Sequence, residues 1–420
     1  MKIAIVGAGY SGTMAAVEAA RALPGAEIAL VEKRGAFAAG AAYSTTSASH
    51  LLNVRARGMS AFAGDPGHFA AWTEREGLGG PDSFVPRRDY RRYLEGVLAE
   101  APVTRVAGEA VAVEDGALVL ADGRRLGFDA LVLAGGNYGG RMPARLDVSA
   151  VDDPWSPEGL ASIATLAVQA KDVLLVGTGL TMVDVALSLV DAGFSGRMVG
   201  VSRRGLLPRA HEEPASPPFP VEPPATLRAL VRAVRSWGGP WRAAVDSLRP
   251  HTQKLWRGLS LAERRRFLRH LRPWWDVHRH RIAPPVARRI AALIEAGRLE
   301  VLAGRIRGDA PGAVTVALRG GGERRYEIAG AVNCTGPEGS IARVEDPLVR
   351  QLLASGQARP DPLGIGLDVD GANRLVGADG TPSPRLYAVG PLTRGALWEI
   401  VAVPDIRDQV RDVARTLASY

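Results

Sequence analysis

Three groups of residues in this 420-residue chain have the types and spacing to do chemistry. The first is Gly7-Ala8-Gly9-Tyr10-Ser11-Gly12, with Glu32 twenty residues beyond Gly12. In this pattern Gly7 permits a tight turn, Gly9 lets the backbone approach a pyrophosphate, and Gly12 lets a helix pack on a strand. The pyrophosphate would rest on the free amides of the helix N-terminus, with Ser11 in the glycine turn that precedes it. Glu32, with Lys33 beside it, stands where a carboxylate accepts hydrogen bonds from an adenosine ribose. The competing reading is a glycine turn used only for packing.

The second group repeats the first 170 residues later, as Gly177-Thr178-Gly179-Leu180-Thr181-Met182. Met182 replaces the third glycine, and Ser202-Arg203-Arg204 occupies the place of Glu32. An acid at that place binds ribose hydroxyls and repels a phosphate. A small polar residue followed by two arginines instead accommodates a 2′-phosphate through charge-assisted bonds. The pair therefore predicts an unphosphorylated adenosine at the first turn and NADP at the second, contacted by Gly177, Gly179, Thr181, Ser202, Arg203 and Arg204. The alternative makes Arg203 and Arg204 a solvated strand end.

The third group is Trp274-Trp275-Asp276-Val277-His278-Arg279-His280-Arg281. His280 and Arg281 are candidate catalytic residues, an anchor for an anionic substrate. The plainer reading buries the tryptophans in a core and leaves the arginines in solvent. Zinc at His278 and His280 is disfavoured, because no acid or cysteine nearby completes a tetrahedral set; no metal site is predicted.

The elements that must position these groups follow from apolar patterning. Lys2 to Val6 and Ile28 to Val31 read as buried strands, with a helix from Thr13 to Leu23 between them. Asp172 to Val176 and Met198 to Val201 repeat the arrangement around a helix from Val183 to Ala192. Phe128 to Gly136 and Ala331 to Gly336 are strands running into glycines. Residues 211–224 form a Pro-rich connector, and a helical stretch runs from Thr226 to Gly297, broken near Gly238-Gly239-Pro240. Trp398 to Ala418 reads as one or two terminal helices. The prediction is an α/β fold with two Rossmann-like dinucleotide-binding domains, the second inserted in the first, plus an α-helical insertion. The boundaries are 1–150 for the first part of one domain, 151–330 for the second domain with its insertion at 210–297, and 331–420 for the C-terminal part of the first.

Composition narrows the function. Hydrophobic residues make up 46% and charged residues 23%, the balance of a globular protein with a core. No apolar run reaches membrane-spanning length, and the N-terminus is already a core strand, so a cytoplasmic protein without membrane contact is expected. Cys334 is the only cysteine, which excludes an internal disulfide and a redox-active cysteine pair. The net charge of +8 is concentrated: residues 227–281 carry fourteen Lys or Arg against three acids. That segment would attract an anionic substrate, a phosphorylated cofactor or nucleic acid. Its arginines are not interleaved as in a nucleic-acid module, so nucleic acid is the unfavoured partner. A small-molecule substrate is favoured, and a homodimer is compatible with the sequence.

The layout resembles the two-dinucleotide-binding flavoproteins, which hold FAD in the N-terminal unit plus the C-terminal segment and NAD(P)H in an inserted domain. Gly7, Gly9, Gly12 and Glu32 match the FAD fingerprint. Gly135, in Leu133-Ala134-Gly135-Gly136, and Gly390, in Tyr387-Ala388-Val389-Gly390, match glycine segments that approach the flavin there; Pro391 stands where those proteins carry an acid. GAGYSGTMAAV, HLLNVRARGMSAF, GTGLTMVDVALSL, WWDVHRHRIAP and LWEIVAVPDIR together resemble the bacterial FAD/NAD(P)-binding family typified by the YdhS-like proteins. The layout is also similar to class B flavin monooxygenases, without the FxGxxxHxxx[YF] fingerprint of the Baeyer–Villiger enzymes. The resemblance implies FAD and NADP as cofactors. It places Asn53, a further catalytic candidate, and Met59 beside the flavin ring, with Trp398 and Glu399 near its edge. For Asn53 the competing reading is a turn cap, and for Glu399 a carboxylate in the first turn of the terminal helix.

The implied activity is NADPH-dependent oxidoreduction through FAD, with a monooxygenase acting on a small anionic or amine-containing molecule preferred. Such chemistry needs a dry pocket rather than a protein nucleophile, and Cys334 reads as a packed small residue. A flavin reductase or oxidase is the nearest alternative. A flavoprotein that binds RNA or a protein partner through its basic helices is the alternative of another class.

Overall fold

The computed structural model describes residues 1–143, 146–213 and 216–419. Pro214 and Ala215, inside the Pro-rich connector expected over 211–224, lie outside the described residues.

In chain order the first strands are β1 (Lys2–Val6), β2 (Glu27–Glu32), β3 (Thr104–Ala107), β4 (Ala110–Glu114), β5 (Ala117–Leu120), β6 (Arg125–Gly127), β7 (Ala130–Leu133) and β8 (Ser149–Val151). They are followed by β9 (Asp172–Val176), β10 (Met198–Ser202), β11 (Leu299–Ala310), β12 (Ala313–Leu318), β13 (Glu323–Asn333), β14 (Arg374–Val376) and β15 (Pro382–Ala388). One six-stranded sheet runs β14-β15-β7-β1-β2-β3 and the other β12-β11-β10-β9-β13-β8, while β4-β5-β6 form a small antiparallel sheet. Around β1 and β9 the pairings are parallel. Helices cover both faces of such sheets, so the strands are apolar on both sides; Ile3, Ile5, Leu30 and Leu131 are all buried. The first sheet takes strands from both ends of the chain and the second from its middle. The fold is α/β with two Rossmann-like halves, the second inserted in the first.

Local chemistry sets the element ends. The first helix spans Tyr10–Ala22, starting three residues earlier than expected, because Gly9 is extended and acts as its N-cap. The second is likewise early, Leu180–Asp191 behind an extended Gly179. The insertion is a set of short helices, among them Leu227–Ser236, Trp241–Leu248 and Arg272–Arg279. Gly238 and Gly239 break it as expected, both with positive φ, and Pro240 caps the next helix.

The C-terminal segment departs from expectation. Its helix spans Val403–Leu417 and does not begin at Trp398. Glu399 has φ of 67°, the left-handed region, which a continuous right-handed helix cannot contain. The helix packs back on Tyr10–Ala22, sharing a core that includes Met14, Val17, Val410 and Val413.

Candidate functional site

The two glycine turns are built alike to the level of single hydrogen bonds. The Gly7 N–H donates to the Val31 carbonyl at 2.9 Å, and the Gly177 N–H to Val201 at 2.7 Å. Both glycines have positive φ, 96° and 113°, which places each turn against the end of the neighbouring crossover strand. There the Ala134 N–H donates to Val6 at 2.8 Å, and the Cys334 N–H to Val176 at 2.7 Å. Cys334 is thus the counterpart of Ala134. It is buried, and burial pushes its thiol well above the ordinary range.

The turns differ at the third motif position. A Cβ on Gly12 would run into the carbonyl oxygen of Gly7, so helix and strand there approach as closely as backbone allows. In the second unit the helix stands off far enough for Met182, which is fully buried in the core. Neither helix carries a side-chain cap or an acid in its first turn. Their leading amides are therefore left for an anion.

A cavity of about 350 Å³ opens on the first turn, lined by Gly7, Gly9, Ser11, Glu32, Lys33 and Gly135. Glu32 is held at its mouth: Oε2 accepts the Ala8 N–H at 2.8 Å and Oε1 the Arg34 N–H at 3.2 Å. Each oxygen keeps a lone pair for a ribose hydroxyl. Lys33 is exposed, 3.9 Å from Glu109. From the C-terminal segment Pro391 and Leu392 line this cavity, while Gly390 packs behind it, where a Cβ would strike the Ser11 hydroxyl. Its N–H donates to Gln409 Oε1 at 2.7 Å.

A second cavity, of about 760 Å³, shares Tyr43, Tyr138, Trp155 and Val403 with the first and extends between the sheets and the helical insertion. Asn53, Met59, Thr181, His280 and Arg281 all line it, so residues far apart in sequence meet in one cleft. Met59 is buried, and its carbonyl accepts from Tyr90 Oη at 2.9 Å. Asn53 has its carbonyl fixed by the His211 Nε2–H at 2.8 Å.

Other expectations need correction. Arg281 is not a free anchor. It is 5% exposed and forms two 2.9 Å bonds to the carboxylate of Asp246, with further bonds to the carbonyls of His278 and Arg242. A guanidinium so occupied ties the insertion together. Trp398 lines neither cavity; it stacks on Trp256 at 4.9 Å between ring centres, inside the aromatic core of the insertion. Glu399 is not in a helical first turn.

At the second turn, the Ser202 hydroxyl lies 2.8 Å from Thr178 Oγ1 and accepts the Gly205 N–H at 2.9 Å, so it shapes its own loop. Arg203 is exposed, and Arg204 sits 6.0 Å over the ring of Trp274. Gly177, Gly179 and these arginines lie outside the lining of both cavities.

Glu399 lines neither cavity and lies buried behind the lining residues Arg279 and His280. It lies 3.2 Å from His280 Nε2, accepts the Trp275 Nε1–H at 2.8 Å, and pairs with Arg279 at 3.4 Å. Burial alone would raise its pKa, but His280, Arg279 and Trp275 hold it down to about 2. Burial opposes protonation of His280, yet Glu399 turns its pKa upward. His278 faces the Trp274 carbonyl instead, so the two histidines do not converge. Arg249 is a lining residue that sequence reasoning missed. Among fourteen basic residues in one segment, nothing local marks the one that lines the cleft with its guanidinium unpaired among the described residues.

Residues 4–138 match the model of a family described as FAD-NAD(P)-binding. The N-terminal unit is a FAD-NAD(P)-binding domain. No curated protein matches the chain. Among solved structures, the chain is similar to reduced ornithine hydroxylase (PvdA) of Pseudomonas aeruginosa, at 16% identity and a TM-score of 0.66, covering 100% of this chain and 98% of that one. It is similar to the ornithine N-hydroxylase KtzI of Kutzneria sp. 744, in a complex with reduced FAD, NADP+ and L-ornithine, at 15% identity and a TM-score of 0.62, covering 99% and 98%. It is also similar to thioredoxin reductase of T. acidophilum, at 14% identity and a TM-score of 0.53, covering 99% and 98%. Likeness at these identities is likeness of fold, and it spans the whole chain. Among the described residues no helix is long and apolar enough to cross a membrane.

Proposed function

We propose that this chain is an NADPH-dependent FAD oxidoreductase, a monooxygenase acting on a small anionic or amine-containing molecule. One observation carries the reading: two quasi-equivalent dinucleotide turns, one bearing Glu32 on a cavity that adjoins the large cleft and the other followed by Arg203 and Arg204, with Leu180 and Thr181 of the second turn in the wall of that cleft. The domain boundaries proposed with it are those expected from the sequence, shifted so that β8 (Ser149–Val151) and β13 (Glu323–Asn333) fall whole within the second domain, whose sheet they join.

The residues present fit FAD at the first turn. The first turn of Tyr10–Ala22 carries no acid, Glu32 retains acceptor capacity, and the cavity there joins the larger cleft. When bound, FAD supplies two-electron chemistry linking NADPH to oxygen. The chain does the rest. Gly7, Gly9 and Ser11 would hold the pyrophosphate and Glu32 the ribose. Asn53 and Met59 would form the wall beside the reacting ring and exclude water from it. At the second turn, the Leu180–Asp191 N-terminus and Thr181 would take the NADP pyrophosphate, and Arg203 the 2′-phosphate.

The fold likeness to a thioredoxin reductase favours one second reading, a reductase or oxidase without oxygen insertion. A cysteine-pair version of it is excluded, since the single cysteine is packed where the first unit has alanine.

The test is direct. Purified protein is expected to be yellow, and anaerobic NADPH to bleach it faster than NADH. In air, supplying a panel of small amines and carboxylates should lower the peroxide released per NADPH consumed for at least one of them. Colourless protein that refuses FAD would sink the proposal. Peroxide yield indifferent to every compound would favour the oxidase.

A further inference from the structure

The large cleft is lined by seven arginines, six of which are already engaged. Arg87 pairs with Asp184 at 2.8 Å, Arg281 with Asp246, Arg279 with Glu399 and Arg57 with Asp82. Arg55 donates to the carbonyls of Asp82 and Glu212, and Arg242 to that of Ala210. Arg249 is the remaining one. It sits in the short turn Arg249–His251 between two helices of the insertion, half-buried, its guanidinium without a hydrogen bond or ion pair among the described residues.

Its surroundings make this costly. The nearby acids are Asp405, Asp246 and Glu399; Asp405 attracts the guanidinium without forming an ion pair within 4 Å among the described residues, Asp246 is committed to Arg281, and Glu399 to Arg279, His280 and Trp275. Arg279, a second cation, repels Arg249, while burial removes water from it. A desolvated guanidinium beside another cation is stabilised by an anion that brings two acceptor oxygens.

We infer that Arg249 binds the carboxylate of the substrate, so that the substrate class is a small organic acid whose apolar or amine-bearing part extends toward Asn53 and Met59. The assignment rests on the reading of the cleft as the reaction site proposed above. It moves the anionic anchor from Arg281, where the ion pair with Asp246 leaves no room, to the one lining guanidinium without a partner among the described residues.

The test is calorimetric titration of the flavin-loaded protein with straight-chain C4 to C8 carboxylates and with their amides. Acids should bind at least about tenfold more tightly than the matching amides. Arg249→Gln should abolish that preference, Arg249→Lys should keep part of it, and Arg228→Gln, on an exposed helix face, should leave it intact. Bound flavin and NADPH-dependent bleaching report folding of each variant. NADPH affinity should be unchanged in Arg249→Gln; a loss of NADPH binding with acid binding unaltered would assign the arginine to the cofactor and overturn the inference. Absence of acid-selective binding across the series would overturn it as well. Failure of the wild type to bind FAD or react with NADPH sinks the functional reading instead, while acid-selective binding lost in Arg249→Gln would still support the anion site.

Discussion

His280 and Glu399 meet across the seam between the helical insertion and the C-terminal segment, Nε2 to Oε1 at 3.2 Å. They are 119 residues apart. Glu399 reaches this place only because its own backbone is left-handed, so the local strain is held by the contacts that the carboxylate makes with Trp275, Arg279 and His280.

The pair gives stability a pH signature. His280 has a raised folded pKa, so its contribution is complete below the unfolded value of about 6.5 and is lost as pH rises through the raised value. Glu399, depressed to about 2, contributes above its unfolded value, near 4.3, and loses that contribution as pH falls toward 2. The stability gap between wild type and His280→Gln should therefore be widest near pH 5 to 6 and should narrow by pH 9. Urea midpoints across that range check it; a gap independent of pH contradicts it.

The glycines of the two turns should answer differently to alanine. Gly12→Ala drives a methyl into the Gly7 carbonyl, so a loss of about 3 kcal/mol and of bound flavin is expected. Gly179→Ala meets nothing within 4 Å and has an ordinary φ of −85°. Its stability should stay within about 0.5 kcal/mol of wild type while NADPH affinity falls. Thermal melts with flavin and NADPH titrations separate the two.

Removing one partner of a buried ion pair strands the other. Asp246→Ala should cost about 3 kcal/mol, because the buried Arg281 guanidinium loses both of its bonds to that carboxylate. Arg281→Met combined with Asp246→Leu should recover much of that loss. Denaturant titration of the single and double variants reads the coupling; additive losses would show the pair to be loose.

Cofactor preference should reside at Arg203. Arg203→Ala is expected to raise KM for NADPH about tenfold and to leave NADH unchanged. Steady-state reduction of the flavin with each nucleotide measures it, and equal losses for both would remove the arginine from phosphate recognition.

Cys334→Ala should be nearly silent. It copies Ala134 of the first unit, so a cost of about 1 kcal/mol for lost packing and unchanged bleaching by NADPH are expected. Abolished flavin reduction would reopen a thiol mechanism.

The parts legible in sequence were those written into short periods. Strand–turn–helix units announce themselves because apolar runs, glycines and an acid sit at fixed distances, and β1, β2, β9 and β10 follow that pattern. What sequence hides is pairing. Arg281 reads as an anchor until Asp246, 35 residues away, is seen to occupy it. Arg249 becomes notable only because Asp246 and Glu399 are spoken for. Trp398 looks available until Trp256 stacks on it, and nothing local says that Glu399 will turn left-handed.

The order of the first sheet carries a consequence for how the protein is made. Its strands are drawn from the opening 133 residues and from residues 374–388, and the helix that backs Tyr10–Ala22 is Val403–Leu417. A ribosome therefore releases the glycine turn at Gly7 long before it supplies Gly390 and the helix that buttresses it. The nucleotide cradle is begun first and completed last. A growing chain has the whole inserted unit to fold before its first turn can accept a cofactor.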